Sequence, residues 1–193
     1  MFLKIFLLAV AAKACTSSSL VPNSFEATVG CLQYNARTHY NYDHPYYPTA
    51  SWRNIKSTEG VLRMRMGVSG NKSGYIRLAP TVRPFDETTM HEIVLGFDSD
   101  NRSYFQRYVR GGASRVHSFK LFKLNYIQKI SIFEPLMFTV EVYPNGRVTV
   151  KLDTERYPFI DVTDAGVSAK YVGFANWDAS DKAVFFVDCP LVD

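Results

Sequence analysis

The chain has 193 residues, a length that suits one domain with a sizeable core. Hydrophobic residues make up 47% of it and aromatic residues 15%, which favours strands over helices. The net charge of +4 falls to +2 without residues 1–14, which contain Lys4 and Lys13, and so near a balance gives no reason to expect nucleic acid or an anionic membrane as a partner. With 11 glycines and 9 prolines, the chain is neither collagen-like nor of low complexity.

The N-terminus has the features of a secretory signal peptide. Residues 1–4 give a positively charged start, and residues 5–12 form an apolar stretch too short to span a membrane. Residues 12–14 read Ala-Lys-Ala, which is a small-residue cleavage site. We therefore predict a signal peptide at residues 1–14 and a secreted, extracellular protein. No later stretch approaches 18 apolar residues, so we predict no membrane span.

Three cysteines follow, Cys15, Cys31 and Cys189. We predict a disulfide between Cys31 and Cys189, because the first and last strands of a sandwich are often neighbours. Closing so long a loop stabilises a fold by about 5 kcal/mol at most in the chain-entropy model. Cys15 is either removed with the leader or left as a free or intermolecular thiol.

Two sequons, at Asn71 and Asn101, lie in turn-like contexts between apolar runs. In a secretory protein each is a candidate glycosylation site. We therefore predict glycans at both asparagines.

In chain order, residues 25–32 are a candidate first strand. Residues 35–52 are rich in Tyr, His and Pro and have neither a helical nor a strand period, so we predict an ordered surface loop. From residue 60 onward, short apolar runs alternate with turn signals, and no run of about 12 residues has a helical period. The predicted strands lie at residues 61–68, 75–79, 90–97, 103–110, 119–132, 136–143, 147–152, 171–176 and 182–187.

The clearest local signal is a hairpin at residues 136–152. Apolar residues alternate with polar ones on both sides of Pro144-Asn145-Gly146. Proline suits the first position of a type I turn, and glycine takes the positive φ that follows. The predicted register pairs 142 with 148, 140 with 150 and 138 with 152, so that all six apolar side chains share one face.

These patterns predict an all-β fold, an antiparallel, jelly-roll-like β-sandwich. We divide the chain into the signal peptide at residues 1–14, an N-terminal strand and aromatic loop at 15–57, and the sandwich domain at 58–188.

Four blocks occur in an order that resembles a known family. They read MHEIVLGFDSDNRSYFQR, FEPLMFTVEVYPNGRVTVKLD, RYPFIDV and YVGFANWDASDKAVFFV. Together they resemble the farnesoic acid O-methyltransferase-like domain of arthropods and other invertebrates, over roughly residues 58–188. The resemblance implies a one-domain, secreted member from an insect. The turns at residues 96–98 and 175–177 depart from the family pattern.

The family name implies methyl transfer from S-adenosylmethionine to farnesoic acid, a precursor of juvenile hormone. Methyltransferases of the common type need a parallel sheet with a Gly-rich turn after its first strand. The sequence has no G-x-G motif and no alternation of strands and helices. We therefore favour a ligand-binding module without a cofactor, with carbohydrate as a candidate ligand. A methyltransferase, and an extracellular structural or interaction protein, are the alternatives.

Aromatic residues next to polar ones are the best candidates for binding a ligand. Sugar rings stack on Trp and Tyr faces, and neighbouring amides and carboxylates bind the hydroxyl groups. Asn176, Trp177 and Asp178 form one such set, and Tyr46 and Trp52 belong to another, in the aromatic loop. Alternatively, Trp177 packs over the end of the sandwich and the loop covers a sheet edge.

The remaining chemistry-bearing residues give weaker signals. His39 and His44 are five residues apart, which fits no usual zinc spacing, so we predict no metal site. His91 alternates with apolar residues on a strand and is expected at the edge of the core. No nucleophile motif and no paired carboxylates are present, so we predict no catalytic residue.

Overall fold

A computed structural model describes residues 24–36, 45–84, 86–97, 102–111, 116–127, 129–178 and 180–192. The described residues form thirteen strands in two sheets, and every pairing between these strands is antiparallel. The strands are β1 (Leu32–Ala36), β2 (Tyr46–Pro48), β3 (Lys56–Thr58), β4 (Val61–Gly70), β5 (Gly74–Ala79), β6 (Asp86–Phe97), β7 (Arg102–Gly111), β8 (Val116–Ile127), β9 (Leu136–Val142), β10 (Arg147–Leu152), β11 (Ile160–Thr163), β12 (Tyr171–Ala175) and β13 (Ala183–Cys189).

The two sheets pack face to face as a sandwich. Sheet A has the order β1-β13-β4-β9-β10-β11, with β3 beside the start of β4. Sheet B has the order β2-β12-β5-β6-β7-β8. The chain changes sheet on both sides of β2 and of β12, between β4 and β5, and between β8 and β9, which gives the jelly-roll-like connectivity. The predicted all-β, antiparallel sandwich is confirmed.

The hairpin β9–β10 has the predicted register. Val142 pairs with Val148, and the next two apolar pairs follow in step. The Gly146 amide donates to the Tyr143 carbonyl, and Gly146 has φ +82°, the left-handed conformation that glycine adopts without strain. The turn chemistry therefore sets which side chains of both strands face the core.

The core lies between the sheets and takes alternate residues from each strand. Phe138 and Val140 of sheet A are fully buried, as are Ile76, Leu78 and Ile93 of sheet B. Fully burying one such side chain contributes about 1.5–3 kcal/mol. The alternation that predicted the strands therefore also identifies the core side of each.

The disulfide between Cys31 and Cys189 is present, with a sequence separation of 158 residues. It is possible because β1 pairs antiparallel with β13, so the first and last strands are neighbours as expected. The predicted strand at residues 25–32 is wrong. Ser24–Thr28 form a short 3-10 helix in which the Thr28 hydroxyl donates to the Phe25 carbonyl at 2.7 Å, and β1 starts only at Leu32.

The aromatic segment at residues 35–52 is not wholly a surface loop. Its described part contains β2, which pairs with β12 at the edge of sheet B, and a 3-10 turn at Thr49–Ser51. Tyr46 is 4% exposed. The sequence pattern missed this strand because three residues are too few to establish a period.

None of the described helical segments has the length and apolar character needed to cross a membrane.

Candidate functional site

Sheet B has a second face, directed away from the sandwich core, whose side chains are also buried. Successive residues of a strand point to opposite faces, so the neighbours of the core residues lie here. We call this surface the outer face of sheet B. Its buried members are Tyr46, Tyr75, Arg77, Met90, Glu92, Val94, Gln106, Tyr108 and Arg110, each at most 9% exposed.

An ion pair lies at the centre of this outer face. Arg77 on β5 pairs with Glu92 on β6, and its Nε lies 2.9 Å from Glu92 Oε2. The Gln106 amide on β7 donates to the other oxygen, Oε1. Both charged side chains are 0% exposed. Such a pair is costly to bury unless hydrogen bonds compensate, and Glu92 has one at each oxygen.

Tyr46 lies over the same network. Its hydroxyl lies 3.8 Å from the sulfur of Met90. Burial raises the pKa of Tyr46 to about 12, and the nearby Arg77 opposes this rise only in part. Tyr46 therefore stays protonated, as a neutral group beside a charged pair.

Asn176, Trp177 and Asp178 form the turn between β12 and β13. The amide of Asn176, which is buried, donates to the carbonyl of Asp178 at 3.0 Å and to that of Asp181. The Trp177 ring is 53% exposed and stacks on Tyr75, with 6.3 Å between centroids. Asn176 thus shapes the turn, and Trp177 covers one end of the outer face of sheet B.

A cleft of about 670 Å³ opens to solvent at the other end of β12. We call it the edge cleft, because segments from both sheets form its walls. Its lining residues include three aromatic ones, Trp52, Tyr143 and Tyr171, two apolar ones, Leu62 and Val142, and four polar ones, Thr49, Ser57, Ser168 and Lys170.

Backbone hydrogen bonds hold Trp52 in this cleft from both sides. The Thr49 amide donates to the Lys170 carbonyl, and the Trp52 amide closes the 3-10 turn by donating to Thr49. Beyond Trp52, the amides of residues 53 and 54 donate to the carboxylate of Asp188 at 2.8 and 2.7 Å. The ring is therefore supported by a rigid backbone, which reduces the entropy lost on binding.

The structure separates the predicted site residues into two regions. Tyr46 and Trp177 belong to the outer face of sheet B, whereas Trp52 lines the edge cleft. Trp177 lies six residues after the cleft residue Tyr171, which corresponds to about 20 Å along an extended chain. Sequence reasoning missed Tyr143 and Tyr171 as site residues, because each follows or begins a strand and reads as part of its alternation.

His91 faces the core, as expected, and its Nε2 lies 3.1 Å from the carboxylate of Asp164. Arg107 and Lys120 also contact that carboxylate. Burial lowers the pKa of His91, against the opposing effect of Asp164. The neutral ring donates from Nε2, while Nδ1 has no hydrogen-bond partner among the described residues. This cluster joins β6 and β7 to the loop after β11.

No group of three or more metal-ligating side chains occurs among the described residues. His39 and His44 lie outside those residues, as does the sequon asparagine Asn101. Asn71 is exposed, and its side-chain oxygen accepts a hydrogen bond from the Lys182 amide at 2.8 Å. Glycosylation of both asparagines stays a prediction.

Residues 40–191 match the family described as farnesoic acid O-methyl transferase. The chain belongs to this family. A search of curated proteins finds no match.

Solved structures with similar strand arrangements include two carbohydrate-related proteins. The carbohydrate recognition domain of Emp46p, in a metal-free form, is 10% identical with a TM-score of 0.39, and the match covers 90% of this chain and 94% of that one. A mutant of the alginate lyase Aly36B in complex with an alginate trisaccharide is 10% identical with a TM-score of 0.35, covering 78% and 95%. At these values neither likeness carries a functional argument.

Proposed function

We propose that this family member is a secreted module that binds carbohydrate in the edge cleft. The observation that carries the proposal is the cleft of about 670 Å³, with the aromatic rings of Trp52, Tyr143 and Tyr171 in its walls. Its volume lies within the range of about 300–1,000 Å³ that is usual for ligand sites. Rings of this kind offer flat apolar surfaces to the C–H faces of sugars.

The polar groups of the cleft suit the hydroxyl groups of a sugar. Ser57, Ser168 and Lys170 reach the lining beside the aromatic rings. The outer face of sheet B has more polar groups, but its members are at most 9% exposed, so a ligand meets the cleft first. The edge cleft is therefore the better candidate site.

Secretion is part of the proposal. The predicted signal peptide at residues 1–14 and the disulfide between Cys31 and Cys189 support it. Disulfides persist in oxidising compartments and are rare in the cytosol.

Methyl transfer is the second function that we weigh, since the family name refers to it. The described strands pair only antiparallel, whereas the common methyltransferase fold places its cofactor at the end of a parallel sheet. Among the described residues, no arrangement of side chains favours it over binding. The test therefore includes S-adenosylmethionine and farnesoic acid only as alternative ligands.

Tryptophan fluorescence tests the proposal, because the chain has 2 tryptophans. In Trp177→Phe the remaining signal comes from Trp52 in the cleft, and in Trp52→Phe it comes from Trp177. Each variant is titrated with a panel of glycans, with S-adenosylmethionine and farnesoic acid alongside. We expect a glycan to change the emission of the first variant and not of the second.

Affinity provides the quantitative test. Removing a buried aromatic anchor commonly costs more than tenfold, so we expect Trp52→Ala to weaken glycan binding by about that factor or more. Phe133→Ala is the control, since Phe133 is 81% exposed and does not line the cleft. A response confined to Trp177 would move the site to the outer face of sheet B. Binding of S-adenosylmethionine alone would favour the methyltransferase, and silence throughout would favour a structural role.

A further inference from the structure

A second groove, of about 410 Å³, lies on the face of sheet A that is directed away from the core. It crosses β3, β4, β9 and β10, because alternate residues of these strands point to this side. Tyr143 lines both this groove and the edge cleft, so the two hollows adjoin. We call this second hollow the cationic groove.

Five positively charged side chains line the cationic groove: Lys56, Arg63, Arg147, Lys151 and Arg156. Two carboxylates accompany them, Glu141 within the groove and Asp161 beside it. The formal excess is therefore three positive charges, and it falls to two if Glu59 in the adjoining hollow is included. The whole chain has a net charge of only +4, so this face holds much of the excess.

Both carboxylates are already bound by arginines. Arg63 contacts Glu141 through two nitrogens, each at 2.7 Å, and Arg147 contacts Asp161 at 2.8 and 2.7 Å. The hydroxyls of Tyr143 and Thr149 donate to the second oxygen of Glu141. Burial alone raises the pKa of Glu141, but these donors outweigh it and lower the pKa. Glu141 thus stays ionised and is neutralised within the protein.

The surplus charge therefore rests on side chains that face solvent. Lys151 and Arg156 are both exposed at the groove. Arg156 lies over the ring of Tyr157, at 5.5 Å from its centroid, and this contact leaves its positive charge in place. A ligand in the groove therefore meets these exposed positive charges and the hydroxyl groups of Tyr143 and Thr149.

From this arrangement we propose that the ligand is an acidic glycan, which places one sugar in the edge cleft and its anionic groups in the cationic groove. The proposal rests on the carbohydrate-binding function proposed above. The shared residue Tyr143 lets one extended chain pass from the aromatic hollow to the charged one. The charge could be carboxylate or sulfate, since both are attracted to Lys and Arg.

The concave shape argues for a thin flexible chain over other polyanions. A membrane surface cannot enter a groove of this size. Single-stranded nucleic acid also binds to aromatic rings beside positive charges, so it is the competing ligand that the test includes. An acidic glycan needs one sugar platform and several cations, and the two adjoining hollows provide these.

The test compares three polysaccharides by calorimetry on the full mature protein: a polyuronate, a sulfated glycan and a neutral glycan of similar length. We expect at least one acidic polymer to bind more tightly than the neutral one. Its advantage should shrink between about 0.01 and 0.15 M salt, because the Debye length falls from about 30 to about 8 Å. The polyuronate and the sulfated glycan distinguish the two possible anionic groups.

The variant Lys151→Gln with Arg156→Gln removes two charges from the groove. We expect it to weaken acidic-glycan binding by about fivefold per charge at low salt, hence about 25-fold, and to leave neutral-glycan binding unchanged. Arg83→Gln with Lys182→Gln is the control of equal charge. Neither residue lines the edge cleft or the cationic groove. Lys182 precedes Ala183, which pairs with Gly70 at the end of β4, about 23 Å along the strand from Arg63, so its charge should matter little.

Equal weakening in both double variants would refute the groove, since net charge alone would then explain the result. Equally tight binding of single-stranded DNA or of anionic vesicles, lost in the same variant, would also overturn the proposal. The fluorescence of Trp52 in the Trp177→Phe variant separates the preference for acidic glycans from the carbohydrate-binding function itself. If a neutral glycan changes that signal but no acidic glycan binds better, the carbohydrate function survives and the acidic preference fails.

Discussion

The buried pair Arg77–Glu92 gives the sharpest stability prediction. The change is Glu92→Gln, which keeps the shape of the side chain and removes its charge. Both partners are 0% exposed, so the guanidinium of Arg77 would lose its counter-charge where water cannot replace it. Breaking a buried pair in this way costs about 3–5 kcal/mol, a large part of the roughly 5–15 kcal/mol that stabilises a typical domain.

The assay is urea unfolding at pH 7, followed by fluorescence and circular dichroism. Asp161→Asn is the control, because it breaks an arginine–carboxylate pair whose partners are 41% and 45% exposed. Exposed pairs contribute little, so we expect its urea midpoint to stay close to that of the wild type.

A double variant, Arg77→Met with Glu92→Leu, removes both charges. Replacing both charges by apolar groups is often neutral, although Gln106 loses an acceptor here, which costs about 1–3 kcal/mol. We expect the double variant to be more stable than Glu92→Gln. Equal losses in Glu92→Gln and Asp161→Asn would show that burial is not the source of the effect.

Three further predictions concern pH, a turn and the disulfide. Burial lowers the pKa of His91 in the folded state. Below about pH 6.5 the unfolded chain therefore binds a proton at His91 that the folded chain does not bind. Stability should fall with acid by up to about 1.4 kcal/mol per pH unit, and His91→Gln should flatten that slope in urea melts. Gly146→Ala should cost about 2 kcal/mol or more, because its φ is +82° and an added Cβ meets a backbone carbonyl. Gly166→Ala, with φ +81° and no described atom within 4 Å of the added Cβ, should cost less; equal losses would refute the steric part. Reducing Cys31–Cys189 should lower the unfolding free energy by about 5 kcal/mol at most, from the 158-residue separation, and an unchanged midpoint would contradict the loop-entropy reasoning.

The sequence predicts the fold best where one signal fixes both turn and register. Pro144-Asn145-Gly146 sets a three-residue turn, and the alternation around it then determines the pairing of Val142 with Val148. The pairing of Cys31 with Cys189 followed from the expected neighbourhood of the first and last strands. In both cases local chemistry and the global fold agree.

The sequence predicts the candidate site much less well. Alternation shows that Glu92 and Ile93 face opposite sides of β6, but it cannot show that both sides are buried. The edge cleft joins Trp52 to Tyr143 and Tyr171, which are far apart in the chain and meet only because β2, β9 and β12 end near one another. Such a site depends on how the two sheets are placed, which no local pattern encodes.

The position of the disulfide has a mechanical consequence. Because β1 lies beside β13, a pull on the flanking chain segments is carried through the covalent bond between Cys31 and Cys189. The strands between these cysteines form a closed loop that bears no load while the bond is intact. While the bond is intact, such a pull leaves the strand pairings of both sheets unloaded, and only reduction of the bond would expose them to force.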